Sequence, residues 1–90
     1  MPNATDGLGD IKVFPNPFND RFEVQFEATE NMNIHIRVYT VEGQLFTEQI
    51  QQTVTGTNQF YIDMNMAAPG IYIVSAIAGG ETKVMRVLKQ

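Results

Sequence analysis

Arg21-Phe22-Glu23-Val24-Gln25-Phe26-Glu27 alternates polar with large apolar side chains for seven residues. Successive side chains of an extended strand point to opposite faces, so this stretch has one buried face and one wet face. Residues 33–39 repeat the pattern, with Ile34, Ile36 and Val38 set against Asn33, His35, Arg37 and Tyr39. Phe60, Ile62 and Met64 do the same against Gln59, Tyr61 and Asp63. No window carries an apolar stripe of period 3.6, so the expectation is all-β.

Outward from these runs, residues 11–14 form a short apolar strand that ends at Pro15, and residues 28–32 are a connection. Thr40-Val41-Glu42-Gly43 fits a tight hairpin turn in which Gly43 takes positive φ. A strand over residues 44–51 follows, where Leu45 and Phe46 compete for the inner face. Gly56-Thr57-Asn58 reads as the next turn, and residues 65–70 as a break. Residues 71–78 are apolar at nearly every position, the pattern of a central strand covered on both faces. Gly79-Gly80 is a two-residue hairpin signal. In the final strand, residues 81–89, Thr82, Val84, Arg86 and Leu88 oppose Lys83, Met85 and Val87. About seven short strands with evenly spaced turns make an immunoglobulin-like or fibronectin-like antiparallel β-sandwich. Pro2, Gly7, Gly9 and two aspartates mark residues 1–10 as a flexible linker arm, which leaves residues 11–90 as the domain.

Composition narrows the function. Ninety residues feed one core, and 43% apolar content is enough to fill it. Without cysteine there is neither a disulfide framework nor a thiolate metal site. The net charge of −4 divides unevenly. Residues 81–90 hold Lys83, Arg86 and Lys89 against Glu81 alone, while the other eighty hold three basic and nine acidic side chains. Nucleic acid needs a broad basic face and is not an expected partner. No apolar run approaches the ~20 residues of a spanning helix. Residues 1–6 lack the basic start and apolar middle of a signal peptide, so an exported parent would carry its own.

Chemistry has little material. Ser75 lies inside the apolar strand and His35 alternates outward on another, with no sign of the oriented carboxylate a triad needs. Asp6-Gly7-Leu8-Gly9-Asp10 lacks the alternating oxygen ligands and distal glutamate of a calcium loop. No cofactor or metal is expected. A glycan- or protein-binding accessory module of a secreted hydrolase is the alternative, with Tyr39 and Tyr61 outward and Phe18 on a loop.

Two segments have a clear mechanical reading. Pro15-Asn16-Pro17 fixes φ twice and removes two backbone donors, so it ends a strand in a rigid kink. Met66-Ala67-Ala68-Pro69-Gly70-Ile71-Tyr72 fits a tyrosine corner, in which the ring fills core space and the hydroxyl bonds a backbone group upstream.

In this order these segments resemble the C-terminal sorting domains of the bacterial type IX secretion system. The resemblance runs over roughly residues 11–90. It rests on Val13-Phe14-Pro15-Asn16-Pro17 and on the turn Val38-Tyr39-Thr40-Val41-Glu42-Gly43-Gln44. It rests further on Pro69-Gly70-Ile71-Tyr72-Ile73-Val74 and on the basic final strand with Lys83, Arg86 and Lys89. Thr40 stands where aspartate is common and can bond the turn in its place. Met66 stands where leucine is usual and is expected to fill the same core site. The resemblance implies a non-catalytic address label at the end of a larger cargo protein from a Bacteroidetes-type bacterium. Outer-membrane translocon and shuttle proteins would read it in the periplasm. A sortase-like peptidase would then cut in or before residues 1–10, leaving the cargo at the cell surface or releasing it. Pro15, Asn16, Pro17, Gly43, Gly70, Tyr72, Lys83, Arg86 and Lys89 are the expected recognition residues. The free edge of the final strand is the expected grip, since unpaired backbone groups there can be extended by a partner.

Overall fold

A computed structural model describes residues 8–90, and side chains from Asp10 onward. The strands are β1 (Leu8–Phe14), β2 (Arg21–Ala28), β3 (Asn33–Thr40), β4 (Leu45–Gln52), β5 (Gly56–Asp63), β6 (Gly70–Ala78) and β7 (Glu81–Lys89). All pairings between these strands are antiparallel and form two sheets, ordered β1-β2-β5 and β4-β3-β6-β7. The chain crosses between sheets after β2, β4 and β5. β4 lies beside β3, whereas the fourth strand of an immunoglobulin constant domain joins the other sheet.

Period-two patterning supplies the core. Phe22, Val24 and Phe26 of β2 face Ile34, Ile36 and Val38 of β3, with Ile62, Val74 and Val87 completing the buried layer. Phe18 is fully buried and packs edge-on to Phe22 at 5.1 Å between ring centroids. It is therefore core, and not the exposed loop aromatic that a glycan platform requires.

Four local expectations are revised. Residues 1–7 of the proposed arm lie outside the described residues, and residues 8–10 already belong to β1. Gly9 and Asp10 of β1 together oppose Glu27 of β2, a bulge between the Leu8–Ala28 and Ile11–Phe26 pairs. The turn expected at residues 56–58 lies earlier, at residues 53–55, and Gly56 begins β5. Two polar side chains make that shift favourable. Thr53, wholly buried, accepts from the Met32 amide at 2.9 Å and donates to the Glu30 carbonyl at 3.0 Å. Asn58 accepts from the Val54 amide and donates to the carbonyls of Val54 and Gly56.

The third revision concerns Leu45 and Phe46. Val38 pairs with Thr47 and Tyr39 with Leu45, so Phe46 is the extra residue of a bulge. Leu45 faces outward with Tyr39, and Phe46 leans on Tyr72 at 5.8 Å between ring centroids. The fourth is Met66, which is 88% exposed; Met64 and Ala67 fill the core on either side of it.

Candidate functional site

Tyr72 is buried at the start of β6, and its hydroxyl donates to the Ala68 carbonyl at 2.6 Å. This is the expected corner: burial of the ring holds the crossing between sheets, and the hydroxyl finds a partner instead of being stranded. Beside it the β3–β4 turn closes, with the Gly43 amide donating to Thr40 O at 3.0 Å and the Gln44 amide to Thr40 Oγ1 at 3.2 Å. Gly43 has φ of +94°, which an L side chain resists. Thr40 thus does the local bonding expected of it. Thr40 and Tyr72 are register partners, so the turn and the corner abut around a shallow hollow lined by residues 40–42 and 68–72.

The P-N-P segment arrives at the same end. Asn16 projects its carboxamide onto β7, donating to the Arg86 carbonyl at 3.2 Å and accepting from the Leu88 amide at 2.9 Å. Two residues later, the Phe18 amide donates to Leu88 O and the Gln90 amide to Phe18 O, both at 2.9 Å. Phe18 thereby forms a parallel bridge to Lys89. Proline at 15 and 17 leaves no competing donors beside the asparagine.

These contacts correct the expectation of a free final edge. Ala78 and Glu81 close the β6–β7 hairpin, so alternation along the ladder turns the N–H and C=O of Thr82, Val84, Arg86, Leu88 and Gln90 away from β6. From Arg86 O onward, Asn16 and Phe18 already occupy that edge. Its open part is Thr82, Val84 and the Arg86 amide.

Eight of the nine expected recognition residues gather at this one end. Pro15 to Pro17 lie against Arg86 and Leu88; Gly70 pairs with Lys89; Gly43 and Tyr72 sit beside one another across the Thr40 register. Lys83 does not join them. It pairs with Ala76, six residues up β7 from Lys89, or roughly 20 Å at strand spacing, and lies 3.8 Å from Glu81. Nor do the three cations share a face: alternation puts Arg86 outward and Lys83 and Lys89 on the side of buried Val87. Tyr72, being buried, acts by shaping the corner. Sequence reasoning missed the bond from Asn16 to β7, for which the P-N-P spacing gives no signal of its partner.

Other chemistry stays dispersed. His35 and Glu48 lie 3.7 Å apart on an exposed face, and Arg37 Nε donates to Glu48 Oε2 at 2.7 Å. That hydrogen bond holds the Glu48 carboxyl below its ordinary range and raises Arg37 above its own. Among the described residues no cluster of three or more histidine, aspartate or glutamate side chains forms a metal site. Tyr39 and Tyr61 point outward from different sheets, so they build no common platform. Tyr61 instead carries the Arg21 guanidinium at 4.5 Å from its ring centroid.

Residues 12–90 match the family model described as "Secretion system C-terminal sorting domain". The chain belongs to this family. As a type IX sorting domain it is a secretion signal. No curated protein sequence matches it. Among solved structures it is similar to the crystal structure of a β-glucosidase from Listeria innocua in complex with glucose, at 14% identity and a TM-score of 0.51. That likeness covers 89% of this sorting domain and 16% of the glucosidase, and it concerns fold alone.

Proposed function

We propose that this sorting domain ends a larger secreted protein and is read, already folded, by outer-membrane translocon and shuttle proteins during passage through the periplasm. A sortase-like peptidase then cuts in or before residues 1–10, and the cargo is anchored at the surface or released. The domain is ligand and substrate in this scheme, and the enzyme is its partner. The observation that supports a folded reading is the convergence of motifs from residues 15–17, 40–43, 68–72 and 86–89 on one end of the sandwich. An unfolded chain would present them one after another; only the fold puts them side by side.

The test is a fluorescent protein carrying a signal peptide and fused to residues 1–90, expressed in a strain with type IX secretion. Expected is export that depends on the domain. Removing residues 84–90 should trap the cargo in the periplasm, and normal export of that truncation would refute the assignment. Because the truncation also deletes core residue Val87, charge reversals at Lys83 and Lys89 separate recognition from folding.

A further inference from the structure

Both sheets bury one face, but their outer faces differ. The three-stranded sheet turns Arg21, Glu23, Gln25 and Glu27 of β2 and Gln59, Tyr61 and Asp63 of β5 to solvent, as an ordinary solvated sheet does. Near Arg86 the four-stranded sheet turns out Ile71 and Ile73 of β6, flanked by Tyr39 and Leu45 on one side and Leu88 on the other, while Ser75 separates this group from Ile77. Leu45 is 51%, Ile71 45% and Leu88 41% exposed. The β6 sequence has the apolar pattern of a strand covered twice, and among the described residues it is covered once. A contiguous apolar field of this kind marks a docking surface more often than a solvated one.

We infer that this outer face is where the outer-membrane partner docks, and that the partner is a protein surface presenting apolar side chains and a carboxylate opposed to Arg86. The inference rests on the sorting reading above and names the surface it uses. Charge points to the occupant. Glu48 is the carboxylate on this face and is held by Arg37, while Arg86 makes no ion pair among the described residues. Arg86 stands beside Ile73, next to a recess of about 190 Å³ lined by Asn16, Ile71, Arg86, Val87 and Leu88. The face thus offers an apolar field, a recess for one side chain, and one uncompensated cation. A second copy pairing by the same face would bring no spare carboxylate to either arginine. A lipid surface is held by clusters of about four to eight basic residues, and this face has one unpaired. The recess adjoins the Asn16 contact, so the sequence that marks the family also fixes the edge of the docking face.

The experiment uses the fused reporter with Ile73→Thr plus Leu88→Thr, with Arg86→Glu, with Arg86→Lys, and with Gln59→Lys on the opposite sheet as control. Threonine keeps strand propensity, and thermal unfolding of each purified domain verifies the fold. Expected is wild-type export for Gln59→Lys, several-fold periplasmic accumulation for Arg86→Glu and for Ile73→Thr plus Leu88→Thr, and less accumulation for Arg86→Lys, which keeps the charge, than for Arg86→Glu. Excess periplasmic residues 1–90 should compete with reporter export, and Arg86→Glu and Ile73→Thr plus Leu88→Thr should fail to compete. Wild-type export by both folded face variants overturns the inference and leaves the sorting reading standing. A purified wild-type dimer that the face variants dissolve would make a second copy the occupant. Face-dependent binding to anionic phospholipid vesicles would make it a membrane. Either result overturns the proposal as well. A wild-type fusion that never leaves the periplasm removes the sorting reading, and this inference with it.

Discussion

The carboxamide oxygen of Asn16 accepts the backbone N–H of Leu88 at 2.9 Å, joining positions 72 residues apart. The same side chain donates to the Arg86 carbonyl, so one asparagine stands in for the peptide group of a missing neighbouring strand. The P-N-P motif is therefore an edge cover as well as a strand terminator, and covered edges resist unwanted strand addition. It holds the end of β7, where the expected recognition residues gather.

Asn16→Ala removes both bonds. Each is worth about 0.5–1.5 kcal/mol, so stability should fall by roughly 1–3 kcal/mol. Amide hydrogen exchange at Leu88 should accelerate while Val74 in the centre of β6 changes little. Asn16→Asp keeps the acceptor and loses the donor, and Leu88 should stay protected. Unaltered exchange at Leu88 in the alanine variant would dismiss the edge cover.

The strands that could be read from sequence were those whose alternation is decided locally. Phe22 to Phe26 and Ile34 to Val38 need only one face against a core, and they sit as their periodicity requires. What depended on a distant partner was not legible. Nothing near Asn16 announces Leu88, and nothing near Thr53 announces the Met32 amide. Ile71 to Ala78 shows that pattern encodes apolarity and not coverage: its second apolar face reads as buried, yet among the described residues no element lies over it. Gly56-Thr57-Asn58 reads as a turn in sequence because an asparagine that caps a turn from inside a strand has the same letter as one that occupies the turn.

Tyr72→Phe tests the corner. The ring still fills its site, and the loss is one hydrogen bond to Ala68, about 1 kcal/mol. For a domain of this size that lowers the thermal midpoint by roughly 4–8 °C. Export of the fused reporter at permissive temperature should be retained, because the hydroxyl is bonded within the domain, to the Ala68 carbonyl. An unchanged midpoint would argue against the corner.

Gly43→Ala separates backbone strain from crowding. No atom outside the adjoining residues lies within 4 Å of the position a Cβ would take, so any cost comes from φ of +94°. About 1–2 kcal/mol is expected. Gly43→Asn should cost less, since asparagine tolerates positive φ better. Equal loss in both variants, measured by urea denaturation, would mean that the turn rearranges instead of straining.

Glu48 should titrate below an ordinary glutamate, chiefly because Arg37 Nε donates to its Oε2, with attraction to the guanidinium adding to this and His35 contributing less. A carboxyl whose pKa is lower folded than unfolded stabilises the fold above its unfolded pKa, near 4.3. That stabilisation is lost as pH falls through the lower folded value. Both groups are exposed, so the contribution is small and screened by salt. NMR titration of the Glu48 side-chain carbonyl should move upward in Arg37→Gln. The stability difference between that variant and the wild type should shrink at acid pH, where Glu48 is protonated in both states. A Glu48 titration identical in the two proteins would show that the ion pair does not persist in solution.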